Sequence, residues 1–196
     1  MSTLKVDTIQ HSGGTTAATI DNSGNTTLSG NLKVDTIQHS GGTSGMTINS
    51  TGRVTTPNKI AFLAVGNKGA YATTSPIAPA TIVYNDGSGY DASTGRFTVP
   101  VGGDGLYSFH LHMGIVNITT GGGNCYPQMV AMRGGTTLFS IYTYWSHPDT
   151  ASYGSTHISR IHKLEAGDYV YLGFSQTNAN YYDNPSELNF QGFLIG

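Results

Sequence analysis

The C-terminal part of the chain alternates between apolar and polar residues in short segments, and this pattern predicts β-strands. From residue 60 onward, clusters of Gly, Pro, Asn and Asp separate these segments at intervals of about ten residues. Tyr107, Phe109, Leu111 and Met113 occupy every second position, so they lie on one face of a strand. Short strands at this spacing are typical of an antiparallel sandwich. We predict nine strands, near Ala61–Val65, Thr81–Tyr84, Arg96–Val99, Leu106–Val116, Gln128–Arg133, Thr137–Tyr144, His157–Leu164, Tyr169–Gln176 and Leu188–Ile195.

Residues 1–57 have a different pattern, in which apolar residues are sparse and aromatic residues are absent. All 7 Phe, 12 Tyr and 1 Trp of the chain come after this region. The sequence Leu4–Thr15 recurs without change as Leu32–Thr43, and weaker similarity extends the two repeats to residues 4–27 and 32–55. A repeat of this length usually corresponds to one supersecondary unit that stacks on its copy.

We therefore predict two domains, a repetitive β-structured stalk over residues 1–57 and a globular head over residues 60–196. The stalk has too few apolar residues to bury a core of its own. We predict that three chains wind together and place Leu4, Val6, Leu32 and Val34 along a shared axis. A flexible polar linker is the alternative interpretation of this region.

The segment Asn22–Leu32 supports the stalk interpretation through a resemblance. Its sequence contains Ser-Gly-Asn twice, each time followed by Thr or Leu. This segment resembles the Gly-Asn-Leu turn-and-strand repeats of phage tail-fibre shafts. The resemblance implies a trimeric fibre on a virus particle.

Composition and charge exclude several classes of protein. Charged residues make up 10% of the 196 residues, and the 27 Gly favour turns and strands, so we exclude a helical bundle. The net charge of −2 provides no basic surface for nucleic acid or for an anionic membrane. Cys125 is the only cysteine, so an intrachain disulfide is ruled out. The first residues lack a signal-peptide pattern and no apolar run is long enough for a membrane span, so we expect synthesis in a cytoplasm.

Four motifs in the predicted head occur in the order found in one known family. They are Tyr90–Pro100, with its Tyr-Asp, Thr-Gly, Phe and Pro; Gly105–Phe109, a Gly-x-Tyr-x-Phe strand; Leu164–Leu172, with Leu-x-x-Gly-Asp-x-Val; and the closing strand Phe190–Ile195. Together they resemble the complement C1q-like globular head, a trimeric jelly roll related to tumour necrosis factor. The insert Val101–Gly105 is longer than the link in that family. The resemblance implies an all-β fold, with a C-terminal jelly-roll β-sandwich that assembles as a homotrimer.

No motif in the sequence points to catalysis. The nucleophile pattern Gly-x-Ser-x-Gly, the metalloprotease pattern His-Glu-x-x-His, a Walker loop and paired cysteines are all absent. We predict that the protein is not an enzyme, has no catalytic residue and needs no cofactor. A pair of carboxylates for glycoside cleavage stays open as an alternative, because two acidic residues that are distant in the sequence can meet in the fold. The candidates are Asp86, Asp91, Asp149, Asp168, Asp183 and Glu187.

His110 and His112 have the one spacing in the sequence that suggests a metal site. Alternate residues of a strand share a face, and a threefold axis would bring three such pairs together. The simpler interpretation is that both side chains line a subunit contact or face solvent, opposite to the core. We therefore predict no metal and keep the two histidines as weak candidates.

Aromatic residues in two predicted connections are the candidate ligand-binding residues. Trp145 and His147 lie in the connection Trp145–Thr156, and Tyr181 and Tyr182 lie in the connection Thr177–Glu187. Rings with polar tips in such positions suit recognition of a sugar or a protein. Packing between subunits is the alternative for these four residues, and it is the interpretation that we prefer for Tyr142 and Tyr144.

The sequence as a whole predicts a virion structural protein, with a bacteriophage as the source. We expect a homotrimeric fibre or spike that contacts other virion proteins through the stalk and a host surface glycan or protein through the head. The first alternative is a capsid decoration protein or head fibre. A carbohydrate-active enzyme on the particle and a bacterial adhesin are the other two alternatives.

Overall fold

The computed structural model describes residues 6–56, 58–66, 70–72, 76–117, 123–147, 152–174, 180–183 and 185–196. These residues form β-strands, turns and loops. Within these ranges no helix is long and apolar enough to cross a membrane. The chain divides into two compact units, residues 1–57 and residues 58–196.

The N-terminal unit, which we call the stalk, contains two separate three-stranded antiparallel sheets. Each sheet comes from one sequence repeat, and corresponding strands begin at corresponding positions of the two repeats. The first sheet consists of β1 (Thr8–Gln10), β2 (Thr16–Ile20) and β3 (Thr26–Leu28), and the second of β4 (Thr36–Gln38), β5 (Ser44–Ile48) and β6 (Val54–Thr55).

The turns of the stalk repeat in the same way as its strands. Asp21 Oδ1 accepts hydrogen bonds from the backbone N–H groups two and four residues further on, at 2.9 Å each. Asn49 Oδ1 accepts the equivalent pair at 3.0 and 2.9 Å. Nδ1 of His11 and Nδ1 of His39 each accept the N–H two residues further on, at 3.1 Å. Asp and Asn both favour such turns, so the repeat keeps its structure where its sequence varies.

A single copy of the stalk buries almost none of its apolar residues. Among its described residues, Ala18 alone is buried. Of the four residues predicted to line an axis, Val6 and Leu32 are exposed and Val34 is half-buried, while Leu4 lies outside the described residues. The exposed large apolar residues of the unit are Val6, Ile9, Ile20, Leu28, Leu32, Ile37 and Val54.

The C-terminal unit, the head, is a sandwich of two main antiparallel sheets. The larger sheet has the order β8-β19-β12-β20-β7-β9, with β17 paired to β12, and the smaller has the order β10-β11-β18-β14-β15. Strands β13 and β16 form a separate pair. The bounds are β7 (Ala61–Val65), β8 (Ala70–Ala72), β9 (Thr81–Asp86), β10 (Tyr90–Asp91), β11 (Arg96–Thr98), β12 (Gly105–Asn117), β13 (Gly123–Cys125), β14 (Pro127–Arg133), β15 (Thr136–Tyr142), β16 (Trp145–His147), β17 (Ser152–Leu164), β18 (Tyr169–Phe174), β19 (Asn180–Asp183) and β20 (Leu188–Leu194).

The all-β jelly-roll fold predicted from the sequence is confirmed, and each of the nine predicted strands coincides with an observed one. The prediction that two aromatic-bearing segments are connections between strands is partly wrong. Trp145–Thr156 contains β16 and the start of β17, and Thr177–Glu187 contains β19. Strand β16 pairs with β13, and β19 pairs with β12. Backbone hydrogen bonds to these neighbours hold the two segments in an extended conformation, although their own sequences show no apolar alternation.

The core lies between the two sheets and is built on aromatic rings. Phe62 has no exposed surface, and its ring centroid lies 4.8 Å from that of Phe97, 4.9 Å from that of Phe190 and 5.1 Å from that of Tyr90. The four alternating residues of β12 that were predicted to share a face, Tyr107 to Met113, are all buried here. The other face of β12 therefore points away from the core.

Candidate functional site

The outer face of the larger sheet, defined as the side opposite to the core, is rich in exposed apolar residues. On β12 it begins with Leu106 and Ser108. Ser108 pairs with Ile161 of β17 on one side and with Phe193 of β20 on the other. The exposed fractions of Ile161 and Phe193 are 57% and 38%. Other exposed apolar or aromatic residues of this face are Tyr84, Leu106, Tyr153 and Ile195.

The two histidines singled out in the sequence lie on this outer face, two positions apart on β12. His110 is held by hydroxyl groups, because its Nε2 lies 3.0 Å from Ser108 Oγ and its Nδ1 lies 3.1 Å from Ser159 Oγ. Both of its ring nitrogens are therefore in hydrogen bonds. The closest polar neighbour of His112 is a histidine on another strand.

His112 pairs with His157 of β17, at directly opposite positions of the two strands. Their Nδ1 and Nε2 atoms are 3.3 Å apart and the ring centroids are 4.5 Å apart. On its other side, Nε2 of His112 lies 4.0 Å from Oε2 of Glu187. Burial lowers the pKa of His112 below 6.5 and the neighbouring His157 lowers it further, while Glu187 opposes both effects.

The sequence gives no sign of His157 as a candidate, because the two histidines are 45 residues apart and meet only through strand register. Among the described residues, no three His, Cys, Asp or Glu side chains come together as a metal site. The carboxylates considered for glycoside cleavage include Asp168, which is bound to Arg133, and Glu187, which lies beside His112. Asp149 lies outside the described residues.

Trp145 is the one predicted ligand-binding residue whose side chain the structure describes. It is half-buried, packs against the core and lies so close to Gly154 of β17 that a Cβ there would collide with the indole. This packing favours a structural role for the indole. For His147, Tyr181 and Tyr182 the structure describes only the strand positions, which are opposite Gly123, Ile115 and Tyr71. Their assignment to ligand binding stays a prediction.

Three tyrosines that are not among the predicted ligand-binding residues form a partly exposed aromatic cluster. The ring centroid of Tyr126 is 5.7 Å from that of Tyr142 and 5.5 Å from that of Tyr144. Tyr142 and Tyr144 are 57% and 60% exposed. The Tyr144 hydroxyl donates a hydrogen bond of 2.9 Å to Asn124 Oδ1, which fixes the position of that ring. We call these three residues the tyrosine cluster.

A bidentate ion pair connects β14 to the turn before β18. Arg133 Nε donates to Asp168 Oδ1 at 2.8 Å and its Nη2 donates to Oδ2 at 2.7 Å. The backbone N–H of Glu165 donates to the same Oδ2 at 2.8 Å. The hydrogen bonds from Arg133 hold the pKa of Asp168 below its usual 3.8, and burial opposes this shift. Asp168 therefore closes the turn between β17 and β18 and ties it to β14.

We expect Asp168→Asn to destabilise the head by about 2 kcal/mol. The amide loses the charge and places an N–H₂ group where an acceptor is needed, but Arg133 is 43% exposed, so water screens part of the pair. Guanidinium unfolding at pH 7 measures the change. Because the pKa of Asp168 is lower in the folded state, its contribution is present above pH 3.8 and fades as the pH falls below that value. A difference in unfolding free energy between variant and parent that stays constant from pH 7 to pH 3 contradicts this assignment. Glu165→Gln is the control, because it removes a charge from a side chain that is 59% exposed.

Comparison with known proteins agrees with this architecture. Residues 61–195 match the family model described as C1q domain. Murine APRIL has the same fold, with 18% identity over 70% of this chain and 99% of that chain and a TM-score of 0.53. Eiger TNF from S. frugiperda has 12% identity over 71% of this chain and 94% of that chain, with a TM-score of 0.56. The globular domain of zebrafish complement 1qA protein has 19% identity over 70% of this chain and 98% of that chain, with a TM-score of 0.49. Since the family model covers more than half of its residues, this chain belongs to the C1q domain family.

Proposed function

We propose that this protein is a homotrimeric structural component of a virus particle, and specifically of a bacteriophage. Residues 1–57 form a stalk that contacts other virion proteins, and the head binds a glycan or protein on the host surface. Domains of the C1q and tumour necrosis factor type are typically trimeric, and they are typically structural or ligand-binding domains. The fibre-like repeat of the stalk supports the viral assignment.

One observation carries the proposal of self-association: apolar side chains that a single chain leaves in contact with water. The stalk exposes seven large apolar residues, Val6, Ile9, Ile20, Leu28, Leu32, Ile37 and Val54. The head exposes a second group on the outer face of its larger sheet. Exposed large apolar side chains in such numbers are typical of a protein interface. Association of identical chains covers both groups at once.

Two measurements test the proposal as a whole. Multi-angle light scattering of the full chain is expected to give about three times the chain mass of 20.6 kDa at micromolar concentration. Immunogold electron microscopy of particles purified from the lysate in which the chain is produced is expected to label the particle surface. Label at a tail indicates a fibre or spike, and label over the capsid indicates the decoration-protein alternative. A monomer in solution, or particles without label, contradicts the proposal.

We expect the double substitution Tyr181→Ala and Tyr182→Ala to weaken binding of the trimer to host cells by about 1–3 kcal/mol per ring, the range of aromatic hot spots. Tyr181 lies opposite the buried Ile115 in strand register, so an unchanged melting temperature is expected of the single variant Tyr182→Ala, which separates binding from folding. Trp145 is a poorer first choice, because its packing on the core makes its removal destabilising.

The tyrosine cluster offers a matched control for this substitution. Tyr142→Ala with Tyr144→Ala also removes two rings from the head, and both of these rings are more than half exposed. Host binding by this control is expected to equal that of the parent. If the control loses binding and the Tyr181 and Tyr182 variant keeps it, recognition belongs to the tyrosine cluster instead.

A further inference from the structure

The histidine pair opens onto a depression of the outer face. This depression has a volume of about 280 Å³ and lies in the middle of that face. Leu106, Phe193 and Ile195 lie toward one end of the face and Tyr153 toward the other. The polar side chains around the depression are His110, His112, His157, Ser159, Asn189 and Gln191.

The spacing of the pair equals the spacing of two ligands on one metal ion. Two imidazole nitrogens that bind a tetrahedral Zn²⁺ at 2.0–2.1 Å are about 3.3 Å apart. Nδ1 of His112 and Nε2 of His157 are 3.3 Å apart. The hydrogen bond now aligns these two atoms with each other, so binding an ion requires each ring to turn about its side-chain bonds until both lone pairs point to one ion.

Glu187 lies on the side of His112 where a carboxylate often orients a metal-bound histidine. Its Oε2 is 4.0 Å from Nε2 of His112, which is beyond hydrogen-bond distance, but its charge favours a hydrogen on that nitrogen and so leaves Nδ1 as the lone-pair atom that faces His157. Gly114 makes room for this carboxylate, because a Cβ at position 114 would lie 2.5 Å from Glu187 Oε2. The sequence therefore combines a small residue, an acid and two histidines at one place.

The hydrogen bond between the two rings determines which ring nitrogens are available to an ion. If Nε2 of His112 carries the hydrogen, Nε2–H of His157 is the donor to Nδ1 of His112. When an ion binds, solvent then transfers this hydrogen from Nε2 to Nδ1 of His157, with no net change in protons. His110 is not a ligand, since Ser108 and Ser159 occupy both of its nitrogens.

We propose that His112 and His157 bind one divalent transition-metal ion per chain, of the class that imidazole prefers, Zn²⁺ or Cu²⁺, with water in the remaining positions. Imidazole ligands disfavour Ca²⁺ and Mg²⁺, which prefer oxygen. The pair belongs to one chain, so the site does not depend on the trimer or on the viral role proposed above.

Copper binding to the tag-free full chain tests the ligand set. Titration with Cu²⁺ at pH 7.5 is expected to saturate at one ion per chain at this site, with an electron paramagnetic resonance spectrum that shows coupling to two imidazole nitrogens. His157→Ala is expected to show one nitrogen and at least tenfold weaker binding. His110→Ala, on the same strand and face, is the control and is expected to match the parent. One ion per three chains, or an unchanged spectrum in His157→Ala, overturns the proposal.

Zinc binding tests the position of Glu187 and the linkage to folding. Zn²⁺ is expected to raise the melting temperature of the parent, because an ion that binds only the folded state stabilises it, and to leave that of His157→Ala unchanged. Glu187→Gln is expected to weaken Zn²⁺ binding about tenfold, as loss of a carboxylate behind a metal ligand does. Equal melting shifts in parent and His157→Ala contradict the site, and an unchanged affinity in Glu187→Gln removes the positioning role of that carboxylate.

Discussion

Replacing Leu32 with Asp is expected to open the stalk while the head stays folded. Leu32 is 62% exposed in a single chain, so a carboxylate there has little effect on an isolated stalk. In a trimer that packs Leu32 along a common axis, the same substitution places three charges in an apolar environment, at a cost of several kcal/mol. Leu32 is a sharper test than Val34, because Val34 is half-buried within its own chain and its loss affects a single chain as well.

Limited proteolysis measures this effect directly. The variant is expected to be cut within residues 1–57 under conditions in which the parent is resistant, and the melting temperature of the head is expected to be that of the parent. Asn31→Asp introduces the same charge at the preceding residue, which is also exposed, and is expected to stay resistant. Equal resistance of the parent and both variants shows that Leu32 faces water, and that the stalk is held by other contacts.

The long strands of the head could be predicted because period-two alternation is written directly in the sequence. Tyr107 to Met113 show it over a long strand, and all four apolar residues are buried. The short strands β16 and β19 could not be predicted, since three or four residues give no period. Their structure comes from pairing with β13 and β12, which depends on how the chain returns to those neighbours.

The candidate site shows the same limit at the level of side chains. The alternation on β12 was sufficient to place His110 and His112 on one face, away from the core. It did not identify His157, because the partner of His112 is determined by the register between β12 and β17. The hydroxyls of Ser108 and Ser159, which engage His110, are brought together by the same register. Register across a sheet depends on every turn between the strands, and one sequence does not determine it.

Replacing Ile161 with Asp is expected to dissociate the head. Ile161 lies on β17, directly opposite Ser108 of β12. The exposed fraction is 57% for Ile161 and 6% for Ser108, so Ile161 is the member of this pair that a second chain can contact. Identical chains that pack through this face bury Ile161, Leu106 and Phe193 together, and three aspartates in that contact destabilise the trimer by several kcal/mol. In the Leu32→Asp background, where the stalk contact is already removed, the mass from light scattering is expected to fall from three chains to one at micromolar concentration. We expect the dissociated head to keep its fold, because Ile161 lies outside the core between the sheets.

Val83→Asp separates an interface effect from a general effect of surface charge. Val83 is also a β-branched apolar residue and is also 57% exposed, but it lies on β9, the strand at the far edge of the larger sheet from β12 and β17. If the contact centres on β12, β17 and β20, the Val83 variant keeps the mass of three chains. If Val83→Asp dissociates the protein and Ile161→Asp does not, the subunit contact lies at the β9 edge, and the outer face around β12 is free for a different partner. The two variants therefore locate the interface as well as test that it exists, since they differ in position on the sheet and not in the chemistry of the change.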